Sequence, residues 1–90
     1  MNTFGRYPTW VRSRLRGQFA AVAALVELVC LMDNTKNTVR IGYERLGQRM
    51  GCSRSTAQRA IRVLLSEGVV TCVSSLNVGN TYTVLFGGDT

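Results

Sequence analysis

The sequence contains no histidine and is poor in acidic residues, lysine and proline. Of its 90 residues five are Asp or Glu, one is proline, and ten of the eleven cations are Arg. The chain therefore lacks the commonest general base of enzymes, and its few carboxylates form no evident pair. Tyr43 and Ser55 would need an activating base to act as nucleophiles, and the sequence offers none. We expect a protein that is not an enzyme.

Cysteines are also few, and their spacing excludes the usual frameworks. Cys30, Cys52 and Cys72 form no Cys-x-x-Cys pair, their number is odd, and histidine is missing as a further metal ligand. We therefore expect three small buried thiols in a reducing compartment, with no metal and no cofactor.

Long apolar runs are missing as well. The longest, "FAAVAALVELVCLM" at residues 19–32, has fourteen residues and contains Glu27, whereas a membrane-spanning helix needs about 20. We expect a buried helix over residues 18–32, no membrane association and, without a visible signal peptide, a cytoplasmic protein. A helix that is apolar on all sides needs cover on all sides. We therefore predict a homodimer through this helix, with Ala20, Ala23 and Ala24 allowing close contact.

The chain is strongly basic, with a net charge of +6. Arginine forms bidentate contacts with phosphates and guanine edges that lysine does not form. This charge in a chain with a folded domain's apolar content indicates an anionic partner, most often a nucleic acid, with plain solubility as the alternative.

Local patterns predict an α+β domain. Residues 1–16 are expected to form an irregular N-terminal arm. A first helix follows at 18–32, a short strand at 39–41, and two helices at 43–50 and 54–67. Glycines suit the ends of both later helices. A hairpin is expected from strands at 69–73 and 81–86. Residues 87–90 are expected to form a disordered tail.

The third helix, over residues 54–67, has two different faces. At about 100° per residue, one side gathers the apolar residues Ala57, Ala60, Ile61, Leu64 and Leu65. Ser55, Arg59, Arg62 and Ser66 lie opposite, and no acidic residue occurs between Arg45 and Ser66. Either Ser53 or the pair Ser55 and Gln58 caps the helix start. Its free backbone N–H groups suit a phosphate oxygen.

The segment "YERLGQRMGCSRSTAQRAIR", residues 43–62, resembles a bacterial helix-turn-helix. Gly47 is the small residue of its first helix and allows another helix to approach, and Gly51 lies at the turn. Ala57 and Ile61 are the apolar positions of its second helix. With "LLSEGVV", the two strands and the preceding helix, roughly residues 15–86 are similar to the winged helix-turn-helix group, and residues 17–86 are expected to form the domain. The implied fold has three helices, a short first strand and a C-terminal hairpin as the wing.

This resemblance implies that the third helix reads DNA bases in the major groove with its N-terminal half. We expect Arg59 to read a guanine, Ser55 and Thr56 to contact a phosphate or a base edge, and Arg54 and Gln58 to lie at the flanks. The remaining expected contacts are to phosphates. The predicted DNA-binding residues are Arg45, Arg49, Ser53, Arg54, Ser55, Thr56, Gln58, Arg59 and Arg62.

Two segments leave alternatives open. The wing "SSLNVGN" carries no Arg or Lys, so it is either a structural hairpin or makes a light phosphate contact through Asn77 or Asn80. The N-terminal arm carries Arg6, Arg12, Arg14 and Arg16. These follow the DNA, or they point to water while Phe4 and Trp10 hold the segment on the first helix.

The sequence therefore predicts a double-stranded DNA-binding protein of the nucleoid, first of all a small bacterial, phage or plasmid transcription regulator. A twofold dimer would match half-sites about 10 base pairs apart. A replication, partition or recombination accessory protein is the alternative within DNA binding. A winged module that binds protein is the alternative from another class. RNA binding is less favoured, because no exposed aromatic platform is evident. No small-molecule effector is evident.

Overall fold

A computed structural model describes residues 7–33, 35–75 and 79–85. These residues form a small α+β domain with four helices and one three-stranded antiparallel sheet, which confirms the predicted class and is compatible with a winged-helix layout. In chain order the elements are α1 (Thr9–Arg14), α2 (Phe19–Leu31), β1 (Thr38–Arg40), α3 (Tyr43–Met50), α4 (Arg54–Ser66), β2 (Val70–Ser75) and β3 (Gly79–Val84).

Helix α1 lies where the sequence predicts an irregular segment, so the prediction of three helices is wrong. Pro8 directly precedes the helix, where its missing N–H is not needed, and its carbonyl accepts the N–H groups of Val11 and Arg12. Val11 and Leu15 lie four residues apart, so both side chains point into the core, where they are 0% and 1% exposed. Residues 7–15 therefore contribute to the main core.

Helix α2 has the predicted bounds to within one residue, but the described chain covers only one side of it. Ala21, Ala24, Leu25 and Leu28 are buried, and the helix packs mainly on α4. The opposite side carries a row of residues spaced by four, three and four, here called the α2 stripe: Phe19, Ala23, Val26 and Cys30. Phe19 is 83% exposed, Ala23 and Cys30 are exposed, and Val26 is half-buried.

The cysteines differ from expectation. All three are free thiols, but Cys30 is exposed on the α2 stripe, and Cys52 and Cys72 are half-buried. The expectation of three buried cysteines is therefore wrong, because it took the apolar sequence around Cys30 as a sign of burial on every side of the helix.

The turn between α3 and α4 depends on two glycines. Gly51 ends α3 with a φ of 75°, a left-handed conformation that favours glycine. At Gly47 an added Cβ would lie 2.9 Å from the carbonyl oxygens of both Cys52 and Ser53. The close neighbour is thus the backbone of the connection itself, and not another helix as the sequence suggests. This contact fixes where α4 begins.

The sheet has the order β1-β3-β2, with β3 in the centre. Tyr82 in β3 pairs with Val39 on one side and Cys72 on the other. Tyr82 and Val84 are 0% and 2% exposed, as their alternation predicts, whereas Phe86 lies outside the described residues. Each strand is displaced by one to two residues from its predicted bounds, and the hairpin residues 76–78 and the tail also lie outside the described part.

One hydrophobic core joins the helices to the sheet. Leu25, Leu28, Leu46, Ile61 and Leu64 are all fully buried. Leu65, predicted on the core side of its helix, is instead 37% exposed, because it lies at the edge of that face. The inner face of α4 is thereby fixed against the domain.

Candidate nucleic-acid interface

The outward face of α4 carries the predicted polar and basic residues. Ser55, Arg59 and Arg62 are exposed and form what is called here the arginine surface, while Ala57, Ala60, Ile61 and Leu64 face the core. Within the described residues, neither the Arg59 nor the Arg62 guanidinium has a hydrogen bond or an ion pair. Both side chains are therefore available to a ligand.

The start of α4 is capped by Ser53, which settles the choice of cap. Ser53 Oγ accepts the Thr56 backbone N–H at 3.2 Å and lies 3.0 Å from Thr56 Oγ1. No acidic residue lies in the first turn. Among the described contacts, the backbone N–H groups of Arg54 and Ser55 have no acceptor, so they face outward at the positive end of the helix dipole.

The cap also limits two of the predicted contacts. The hydroxyls of Ser53 and Thr56 are engaged with each other, and Thr56 is half-buried. Gln58 is half-buried too, which agrees with its predicted place at the flank of the helix. Ser55 therefore has the most accessible hydroxyl of the first turn.

Helix α3 carries the two other predicted phosphate-contacting arginines, Arg45 and Arg49. Arg45 is exposed and has no partner among the described residues. Arg49 Nε donates to Glu27 Oε1 at 2.9 Å, with the two side chains 40% and 25% exposed. An ion pair this accessible contributes at most about 1 kcal/mol, so a phosphate can compete for Arg49. No sequence pattern predicts this pair, since it depends on the packing of α2 on α3.

A second contact missed from the sequence involves Arg54. Its guanidinium carbon lies over the Tyr43 ring, 5.8 Å from the ring centroid. The Tyr43 hydroxyl lies close enough to that of Tyr82 to influence the pKa of Tyr82, and the Tyr82 oxygen accepts Asn80 Nδ2 at 3.1 Å. Burial raises the pKa of Tyr82 well above its usual range. A series of contacts thus runs from the start of α4 through α3 to β3.

Two N-terminal arginines, Arg12 and Arg14, are hydrogen-bonded to other residues of the domain. Arg12 donates to the Tyr7 carbonyl at 3.1 Å and to Thr9 Oγ1 at 3.3 Å. Arg14 donates to the Glu67 carbonyl at 2.9 Å, next to the last turn of α4, and lies 5.0 Å from the Trp10 ring centroid.

Residues 7–15 thus pack on the domain, but Arg12 and Arg14 do not simply point to water as the packed alternative expects. Val11 and Leu15 hold this segment in place, whereas Trp10 is 39% exposed. Phe4 and Arg6 lie outside the described residues. In the wing, Asn77 also lies outside them, and Asn80 is half-buried and bonded to Tyr82.

In the described segments, no three Cys, Asp or Glu side chains come close enough to hold a metal ion. None of the helices found there is long and apolar enough to cross a membrane. No family model matches the chain, and comparison with curated proteins and with solved structures finds no significant match.

Proposed function

We propose that this chain is a sequence-specific double-stranded DNA-binding protein of the winged helix-turn-helix type, with α4 in the major groove. The observation that carries the proposal is the arginine surface. Arg59 and Arg62, which have no partner among the described residues, share the outward face of one helix with Ser55. The first turn of this helix contains no acidic residue and presents two free backbone N–H groups. Such a face suits the base edges and phosphates of a duplex.

The positions suggest a division of roles. Arg59 lies near the middle of the exposed face, where its fork can bind the O6 and N7 atoms of a guanine. Ser55 and the free N–H groups at the helix start bind a phosphate or a base edge. Arg62, Arg45 and Arg49 neutralise flanking phosphates, Arg49 after release from Glu27. A small transcription regulator is the role we place first.

The test is selection of a preferred duplex from a random library, followed by binding at several salt concentrations. Arg59→Ala should weaken binding to the selected site by about 1–3 kcal/mol and relax base choice at one position. Arg62→Ala should weaken binding to all sequences alike and reduce the salt slope by about one. Lys36→Ala is the matched control, because it removes the same charge from the exposed turn before β1.

The outcomes separate the proposal from its rival. Affinity that falls steeply with salt, with both arginine variants weaker than the Lys36 control, supports DNA binding. Weak binding that salt does not change would instead favour a module that binds protein. If both arginine variants bind as well as the parent chain, the assignment of α4 to the groove is wrong.

We also propose that a second copy of the chain covers the α2 stripe. Its spacing of four, three and four residues is that of a helix-pair seam. The stripe contains no charged residue, and Glu27, the acidic residue of this helix, lies off the stripe and is paired with Arg49. Sedimentation at increasing concentration should show a dimer that Phe19→Glu abolishes, with Gln18→Glu as the control. A parent chain that stays monomeric throughout would contradict the proposal.

A further inference from the structure

Arg54 differs from the other arginines of α4 because an aromatic ring holds it. It is the first residue of the helix, and its guanidinium carbon lies 5.8 Å from the centroid of the Tyr43 ring. The face of an aromatic ring carries negative potential and attracts a cation at this distance. Arg59 and Arg62 have no comparable contact among the described residues. Arg54 is therefore restricted before any ligand arrives.

The Tyr43 ring, which contacts Arg54, is itself held in place by its neighbours. Tyr43 is half-buried against the core, and its hydroxyl lies close enough to that of Tyr82 to influence the pKa of Tyr82. Tyr82 is 0% exposed, lies in the central strand and accepts a hydrogen bond from Asn80 at 3.1 Å. The Tyr43 ring is thus packed against the core beside the central strand of the sheet.

We infer that Tyr43, packed against the core, is a positioning residue that orients Arg54 for a DNA base edge or phosphate at the leading end of α4. This inference rests on the proposed DNA binding. A free arginine loses side-chain entropy when it binds, and a side chain that is already restricted loses less. Tyr43 contributes to affinity through Arg54 and needs no contact of its own with the duplex.

A double-mutant cycle on the selected duplex distinguishes this role from a merely structural one. An exposed contact of this kind corresponds to about a two- to fivefold change in affinity, and Tyr43→Leu should weaken binding by that factor. The same substitution in the Arg54→Ala protein should change binding by less than the error, because the residue it positions is gone. Equal losses in both backgrounds would overturn the inference.

Two conservative variants separate the ring from its hydroxyl. Tyr43→Phe keeps the ring face over which Arg54 lies but removes the hydroxyl, so its loss should be smaller than that of Tyr43→Leu. Tyr82→Phe removes the neighbouring hydroxyl, and with it the acceptor of the Asn80 bond, while the Tyr43 ring stays, so its loss should also be smaller than that of Tyr43→Leu. A loss with Tyr43→Phe as large as with Tyr43→Leu would show that the ring face is not what orients Arg54. Thermal unfolding of each variant establishes that it is folded.

Nuclear magnetic resonance of the free protein tests the contact without DNA. The ring current of Tyr43 should shift the Arg54 side-chain resonances upfield, and the shift should vanish in Tyr43→Leu and persist in Tyr43→Phe. An absent shift overturns the inference whatever the binding data show. If the shift is present but the parent chain binds no duplex, the proposed function has failed and the positioning role falls with it. If the Arg54 resonances are shifted but Tyr43→Leu weakens binding equally in the parent and Arg54→Ala backgrounds, the positioning role is refuted while the proposed DNA binding stands.

Discussion

Replacing Gly47 with alanine tests how the chain places the start of α4. In most helix interiors this change stabilises a protein by about 0.5–1 kcal/mol, because alanine loses less backbone entropy on folding than glycine. Here the new methyl carbon would lie 2.9 Å from two carbonyl oxygens, those of Cys52 and Ser53. We therefore expect the sign of the effect to reverse.

The size of the expected destabilisation follows from the atoms that the new methyl group would displace. Forcing an extra carbon into a packed site costs about 1–3 kcal/mol, and the neighbours here are backbone atoms that cannot rotate away. After subtraction of the helix-propensity gain, Gly47→Ala should destabilise the fold by about 1–2 kcal/mol. For a domain of this size, the melting temperature should fall by about 5–15 °C.

Circular dichroism melting and urea unfolding of the variant measure this change. Gln48→Ala is the matched control, because its side chain is exposed in the same helix, and its effect should stay within about 0.5 kcal/mol. A displaced α4 should also weaken binding to the selected duplex in Gly47→Ala. A melting temperature equal to or above that of the parent chain would refute the close-approach explanation.

Three further predictions follow from single contacts. Ser53→Ala removes the hydroxyl that accepts the Thr56 N–H, so urea unfolding should show a loss of about 0.5–2 kcal/mol, and Ser53→Asp should restore most of it. Glu27→Gln breaks the exposed pair with Arg49, so stability should change by less than about 1 kcal/mol while duplex affinity rises at low salt; unchanged affinity would contradict a phosphate role for Arg49. Burial raises the pKa of Tyr7 from 10.0 to about 12, so its neutral form adds stability that is complete below pH 10 and is lost as the pH rises to 12. Relative to Tyr7→Phe, the parent chain should therefore lose about 2 kcal/mol between pH 9 and pH 12, whereas a constant difference would show that this hydroxyl does not titrate with a raised pKa.

The parts of the fold that were predictable from sequence depend on local periodicity. The bounds of α3, the cap at Ser53 and the left-handed Gly51 all follow from signals within a few residues. The two faces of α4 follow from the spacing of Ala57 and Ile61. These features are fixed by backbone geometry and side-chain pattern, which the sequence displays directly.

The features that escaped prediction depend on packing between distant segments. Helix α1 has only six residues, and Val11 within it and Leu15 just after it are too few to reveal an apolar face. The Glu27 pair with Arg49 and the contact between Tyr43 and Tyr82 join residues far apart in the chain. Only the tertiary packing of the elements brings these residues together, so no local sequence pattern predicts the contacts.

The packing of α2 on α4 has a consequence for how two chains would meet DNA. The two helices face each other through their buried sides, so the α2 stripe and the arginine surface point away from each other across the domain. Two chains joined through the stripe would carry their arginine surfaces back to back. If both proposals hold, such a particle would tie together two separate duplexes, or two remote sites on one looped molecule, and the expected pairing with half-sites about 10 base pairs apart would not apply.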